Sequence, residues 1–262
     1  MNGNAGTLWA DAPDRPTLRA EDVHIWRSTP DVDDGILQSL GRDLSEDERG
    51  RAEKFHFEKD RRRYIVGRGA LRNILSRYLR TDARQLTFQY GPRGKPLLAG
   101  SFEREPLRFN LAHSGGLVLY GFALGRDIGV DVERTDRGVD FMNIAERFFS
   151  AREFEALNRL HAAERRHAFF HCWARKEAYL KATGGGLSDR LDGFSVTMDP
   201  RSEHVELARH DPGDHGVSWT LRSIDAGPGY AAAVSVEGVG AALSCWNWPD
   251  VKTAGSGSAA SG

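Results

Sequence analysis

Three carboxylates and one amine fall where they could do chemistry. In DIGVDVE, residues 127–133, the alternation reads as a β-strand, with Val130 and Val132 on one face and Gly129, Asp131 and Glu133 on the other. Carboxylates two positions apart on a strand project the same way, repel each other and resist losing water. Further along, WARKEAYLKATGGG places Trp173, Glu177 and Lys181 at i, i+4 and i+8, on one face of a helix. Three glycines follow Thr183, ending that helix and allowing close approach to a ligand or backbone. Hard divalent cations take oxygen ligands, commonly carboxylates, water and substrate phosphate. A cation shared by Asp131, Glu133 and Glu177 would turn their repulsion into binding energy. The plainer alternatives are a wet sheet face for the acidic pair and a solvated helical ion pair for Glu177 and Lys181.

The elements that must position these groups repeat. A strand at DVHIWRSTP is followed by a charged helix at LSEDERGRAEKF, with Ser45 as N-cap and Glu48 three residues on as a capping box. A long helix follows at DRRRYIVGRGALRNILSRYL, with Ile65, Leu71, Ile74, Leu75 and Leu79 on its apolar face, then strands at QLTFQYG, LRFNLAHS and LVLYGFAL. The second half begins with DIGVDVE. A helical stretch runs from about Asp140 into AREFEALNRL, then comes the helix ERRHAFFHCWARKEAYLKATG and strands at GFSVTM, SWTLRSI and YAAAVSVEG. Each half thus has a long helix with an Arg-rich start and a short antiparallel meander, at a spacing too long for a solenoid. The pattern predicts an α+β fold: a duplicated unit, two similar α/β lobes with a cleft between them. The expected divisions are a loose segment 1–21, an N-terminal lobe 22–125, a C-terminal lobe 126–248 carrying both acidic motifs, and a disordered Gly/Ser-rich tail 249–262.

Composition narrows the class. The chain has 262 residues and a net charge of −1, which argues against a nucleic-acid partner, although 36 Lys and Arg leave room for a basic pocket. Only Cys172 and Cys245 are present, in no metal-type spacing, so neither a disulfide framework nor a cysteine metal site is expected. No signal peptide and no apolar run of membrane length is visible, which predicts a cytoplasmic protein without a membrane partner.

In combination the motifs become specific. GVDVE followed by WARKEAYLK resembles the two signatures of the 4′-phosphopantetheinyl transferases, (V/I)-G-(V/I)-D-(V/I)-E and W-x-x-K-E-A-x-x-K. RRRYIVGRGALR, GPRGKPLL, FNLAHSGGLVLYGFA and AERFFSAREFEAL match four further segments in order, so the resemblance covers roughly residues 22 to 236. It is closest to the longer, monomeric class that activates carrier proteins of nonribosomal peptide and polyketide synthetases. The resemblance implies a pseudo-dimer of α/β lobes that transfers phosphopantetheine from coenzyme A to a serine of an apo acyl or peptidyl carrier protein. It further implies release of 3′,5′-ADP, with Mg²⁺ or Mn²⁺ in the cleft.

Residue by residue, the resemblance makes Asp131, Glu133 and Glu177 the metal ligands, Glu177 the general base and Lys181 a catalytic partner of the phosphates. Arg51, Lys54, Arg63, Lys95, His113, Asp131 and Lys181 become the coenzyme A contacts. Lys176 belongs to another helix face and serves packing or the phosphates. Ala112 departs from the Ser or Thr common before the motif histidine, so a hydroxyl contact is missing there. Phe148, Phe149 and Arg152 are candidates for a carrier-receiving surface, against the alternative that the Phe residues are core. Two rival readings are a Mg²⁺-dependent nuclease and a non-catalytic carrier-binding module.

Overall fold

A computed structural model describes residues 9–91, 94–184, 191–202, 204–210 and 216–248. The strands are β1 (Trp9–Asp11), β2 (Asp22–Ser28), β3 (Phe88–Tyr90), β4 (Pro96–Leu98), β5 (Leu107–Ser114), β6 (Leu117–Leu124), β7 (Ile128–Arg134), β8 (Phe194–Val196), β9 (His204–Val205), β10 (Leu207–Arg209), β11 (Trp219–Ile224), β12 (Tyr230–Glu237) and β13 (Ala242–Asn247). The helices are α1 (Asp34–Asp43), α2 (Glu46–Glu53), α3 (Glu58–Leu79), α4 (Phe141–Phe148), α5 (Ala151–Arg159) and α6 (Ala162–Thr183). The expected tail, together with Gly185 and Gly186, lies outside the described residues.

Two sheets, ordered β1-β13-β2-β6-β5 and β7-β12-β11-β9, lie face to face between the two long helices. Alternation builds the layers. In β2, Val23 and Ile25 point into the apolar layer between the sheets, where they meet Val130, Val132 and Val234; Trp26 points the other way, onto Leu71, Ile74 and Leu75. In β7, Ile128, Val130 and Val132 enter the middle layer, as the alternation of DIGVDVE requires, while Gly129, Asp131 and Glu133 face α6. The α+β, two-lobed expectation therefore holds.

The duplication extends to polar detail. At the start of α2, Glu48 Oε2 accepts from the Ser45 N–H (3.0 Å) and also from Arg72 Nε on α3 (2.6 Å). At the start of α5, Glu153 Oε2 accepts from the Ser150 N–H (2.9 Å) and from Lys176 Nζ on α6 (2.7 Å). In each lobe, the acid of a capping box thus neutralises a buried cation of the long helix. Lys176 is accounted for in this way: its remaining donors go to Glu153 Oε1 (2.8 Å) and the Phe194 carbonyl (2.6 Å), and it is fully buried. It serves packing.

Three features differ from expectation. Trp9–Asp11, within the segment expected to be loose, pairs with β13, and Trp9 Nε1 donates to the Asp225 carbonyl (2.7 Å). Residues 242–247, expected in the second lobe, run parallel to β2 in the first sheet, a pairing between chain ends that local pattern does not encode. The helical stretch after Asp140 splits in two, because Ser150 caps a new helix.

Gly129 sets how closely α6 approaches β7. A Cβ there would land on the Ala178 carbonyl oxygen and the Ala182 amide nitrogen, which are backbone atoms that cannot rotate away. Gly129→Ala is expected to cost about 3 kcal/mol, read as a Tm lower by roughly 6–12 °C in calorimetry. A second expected outcome concerns acid. Trp26 Nε1 donates to the Tyr78 hydroxyl (2.9 Å), leaving the tyrosine hydrogen for His24 Nδ1 (2.8 Å), and burial pushes His24 down to about 4 against the opposing pull of Asp22. The unfolded chain, with an ordinary histidine near pH ~6.5, then binds more protons between those values, so stability falls as pH drops through that window. His24→Gln should flatten the acid limb of a Tm-against-pH curve between about pH 6.5 and 4.

Candidate active site

Two cavities meet at a common wall between the lobes. One, of about 600 Å³, is lined on the first-lobe side by Arg51, Arg63, Arg68 and Lys95. The other, of about 470 Å³, contains Asp131 and Glu133. Leu111, His113, Glu177 and Lys181 border both. One cavity is cationic, the other acidic and apolar, with Phe169 and Trp173 on its far side.

The close contact at Gly129 brings α6 side chains onto the acidic face of β7. Lys181 Nζ donates to Asp131 Oδ1 (2.6 Å), so the expected Glu177–Lys181 helical ion pair gives way to a pair across elements. Burial, reinforced by Glu133 and Glu177, pushes the Asp131 carboxyl up to about 7 despite that ammonium. Burial also raises Glu177, and Glu133 adds to it. Lys181 is raised: burial opposes its charge, but Asp131, Glu177 and Glu133 outweigh the burial. Glu133 accepts from Ser114 Oγ (3.0 Å) and Arg137 Nη1 (2.8 Å).

As the chain stands, no three His, Cys, Asp or Glu side chains among the described residues form a ready metal cluster. Even so, the donor chemistry fits a hard cation. Asp131 Oδ2 and Glu177 Oε1 are buried without a hydrogen-bond partner, and three carboxylates share one cavity with a single ammonium on Asp131. With Glu133 met by Arg137, Asp131 and Glu177 share one ammonium, and carboxylate oxygens left unpaired and short of positive charge suit Mg²⁺-type ligation.

The other expected residues divide. Arg51, Arg63 and His113 line the cationic cavity, and Arg63 Nε is buried without a partner. Burial, with Arg63 and Lys181, lowers His113. Lys95 lines the cavity too, but its ammonium donates to the carbonyls of Lys181 (2.8 Å) and Ile128 (3.3 Å), tying the first lobe to the last turn of α6 and to β7. Lys54 stands exposed at the end of α2 and does not line the cavity, because the helix points it to solvent. Phe149 is buried against Phe169, so it is core and not docking surface, whereas Arg152 is exposed.

Sequence reasoning missed three contributors. Arg68 faces the cavity one turn after Arg63–Tyr64 and donates to the Tyr90 hydroxyl (3.0 Å). Asn110 Oδ1 accepts from the Val130 N–H (3.0 Å), joining β5 to β7. Arg137 reaches back to Glu133 across the turn that follows β7, a contact that no helical spacing signals.

Both halves of this two-lobed architecture match family models. The 4′-phosphopantetheinyl transferase superfamily model covers residues 127–235, and the 4′-phosphopantetheinyl transferase N-terminal model covers residues 26–121. The 4′-phosphopantetheinyl transferase HetI of Nostoc sp. is 38% identical over 240 residues, 92% of this chain and 98% of that protein. The 4′-phosphopantetheinyl transferase Sfp of Bacillus subtilis is 31% identical over 192 residues, 73% of this chain and 81% of that protein. A holo-(acyl-carrier-protein) synthase from Bacillus anthracis, solved in complex with CoA (3′,5′-ADP), overlays 43% of this chain and 96% of its own, at 22% identity and a TM-score of 0.36. The chain belongs to the 4′-phosphopantetheinyl transferase family, in its longer class.

Proposed function

We propose that the chain transfers the 4′-phosphopantetheine arm of coenzyme A to a serine of an apo acyl or peptidyl carrier protein, with Mg²⁺ bound and 3′,5′-ADP released. The observation that carries this reading is the wall shared by the cationic and acidic cavities. Arg51 and Arg63 offer charge for the nucleotide phosphates, with Arg68, itself paired to buried Glu48 (3.2 Å), on the same wall, while His113 and Lys181 stand where the pyrophosphate would cross toward the carboxylates.

Asp131, Glu133 and Glu177 would hold Mg²⁺, and the same oxygen donors suit Mn²⁺. When bound, the ion supplies positive charge against the pyrophosphate and the departing phosphate. In the transfer, the serine oxygen forms a bond to the phosphorus that bears pantetheine. The bridging P–O bond to 3′,5′-ADP breaks, and the serine proton passes to Glu177. Glu177 Oε1 has no protein donor competing for its lone pair; because a carboxylate directly on Mg²⁺ is a poor base, the proton would reach it through a water or while its hold on the ion is loose.

The carrier is expected to present an acidic helix. The exposed Arg152 at the start of α5 offers a matching charge, so added salt should lower kcat/KM chiefly through the encounter rate. One chain supplies both halves of the cleft, which supports action as a monomer. Carrier domains of nonribosomal peptide and polyketide synthetases, met in the cytoplasm, are the proposed acceptors. Among the described residues no helix is long and apolar enough to cross a membrane.

Mixing the protein with coenzyme A, Mg²⁺ and an apo carrier domain should release 3′,5′-ADP, seen by chromatography, and EDTA should stop it. Release without the carrier, or hydrolysis of plasmid DNA in its place, would overturn this reading.

A further inference from the structure

Apart from the two cavities at Glu177 and Lys181, and sharing no lining residue with them, a cavity of about 1000 Å³ opens between α6, the end of β11 and the strand β13. His167 and His171, one helical turn apart, both line it, and their Nε2 atoms stand 3.1 Å from each other. Two nitrogens bound to one ion at ~2.0–2.1 Å each, with an angle of about 90–110° between the bonds, stand roughly 2.9–3.4 Å apart. One Nε2–H donates to the other Nε2, and a cation that replaces this shared proton would find the two nitrogens already at the bite of a chelate.

We propose that His167 and His171 form a bidentate site for a borderline divalent cation of the Zn²⁺, Cu²⁺ or Ni²⁺ kind, separate from the carboxylate site. Ligand chemistry keeps the two apart: imidazole suits these later metals, whereas the all-oxygen set of Asp131, Glu133 and Glu177 suits Mg²⁺. The imidazoles are in the ligating, neutral form. Burial pushes His171 down to about 3, with His167 and Arg175 adding to it, and burial with Arg175 and Arg201 lowers His167. Positive charge around the cavity is partly met on the spot. Arg201 is paired with Glu164 (3.6 Å), and the guanidinium of Arg175 is taken up by the carbonyls of Thr197, Asp199 and Ser202. Asp225 adds a carboxylate to the same cavity. The site owes nothing to the transfer reaction and stands or falls independently of it.

The test is calorimetric titration of the full chain with ZnCl₂ in excess MgCl₂, which keeps the carboxylates occupied. One equivalent should bind. His167→Ala, at an exposed position that should tolerate the change, should weaken binding by more than about tenfold, since a chelate becomes a single ligand. His171→Ala should do the same, and Cu²⁺ added to the wild type should show two-nitrogen coupling in its electron paramagnetic resonance spectrum. His56→Ala, at an exposed histidine elsewhere, should change nothing. No zinc binding by the wild type, or equal binding by His167→Ala, would overturn the proposal, as would loss of binding only in His56→Ala.

Discussion

Glu177→Gln should lower kcat by about 10²–10⁴-fold, the usual worth of a general base, while thermal stability stays close to wild type. The amide keeps the shape of the carboxylate but can neither accept the serine proton nor offer a second anionic oxygen. Stability should survive because Glu177 Oε1 has no hydrogen-bond partner to lose, and neutralising it relieves repulsion from Glu133. A residual rate near wild type would remove Glu177 from the chemistry.

Lys176→Ala should be the most destabilising single change in the second lobe. It would leave Glu153 as a buried anion, only 2% exposed, with its principal counter-charge gone and the Phe194 carbonyl unpaired. Breaking such a pair costs about 3–5 kcal/mol, or a Tm loss of roughly 6–20 °C. The double replacement Glu153→Leu with Lys176→Met should recover only part of that loss: both buried charges go, but the N–H groups of Ser150 and Val196 and the Phe194 carbonyl lose their partners. Denaturant melts of Glu153→Leu, Lys176→Met and the double variant close the cycle. If Lys176→Ala loses under 1 kcal/mol, the pair is not what holds α5 to α6. Lys176 is part of the W-x-x-K-E signature, so its position in the motif reflects folding, while its neighbour Glu177 lines both cavities.

What the sequence revealed was local. The strand DIGVDVE, its two faces, the capping box at Ser45 and Glu48, and the helix face shared by Trp173, Glu177 and Lys181 all follow from short periodicities, and the structure keeps them. The second capping box, Ser150 with Glu153, carries the same S-x-x-E signal and marks where the predicted helix breaks. Contacts fixed by distant packing were not legible. Lys181 turns to Asp131 because Gly129 lets α6 settle onto β7, and nothing near Lys181 in the chain records that. Lys95 reads as a phosphate ligand from its Gly-Lys-Pro setting, yet its ammonium is spent largely on the carbonyls of Ile128 and Lys181. Phe149 and β13 follow the same rule: an aromatic beside a polar turn, and a strand after the last expected one, find partners only in the assembled chain.

The proposed loading of a carrier serine at the wall between the two cavities is decided by intact-mass spectrometry of an apo carrier domain after incubation with the protein, coenzyme A and Mg²⁺. The carrier should become heavier by one phosphopantetheine, the added mass mapping to a single serine and absent when Glu177→Gln replaces the wild type. An unmodified carrier across several acyl and peptidyl carrier domains, with folded wild-type protein present, would contradict it.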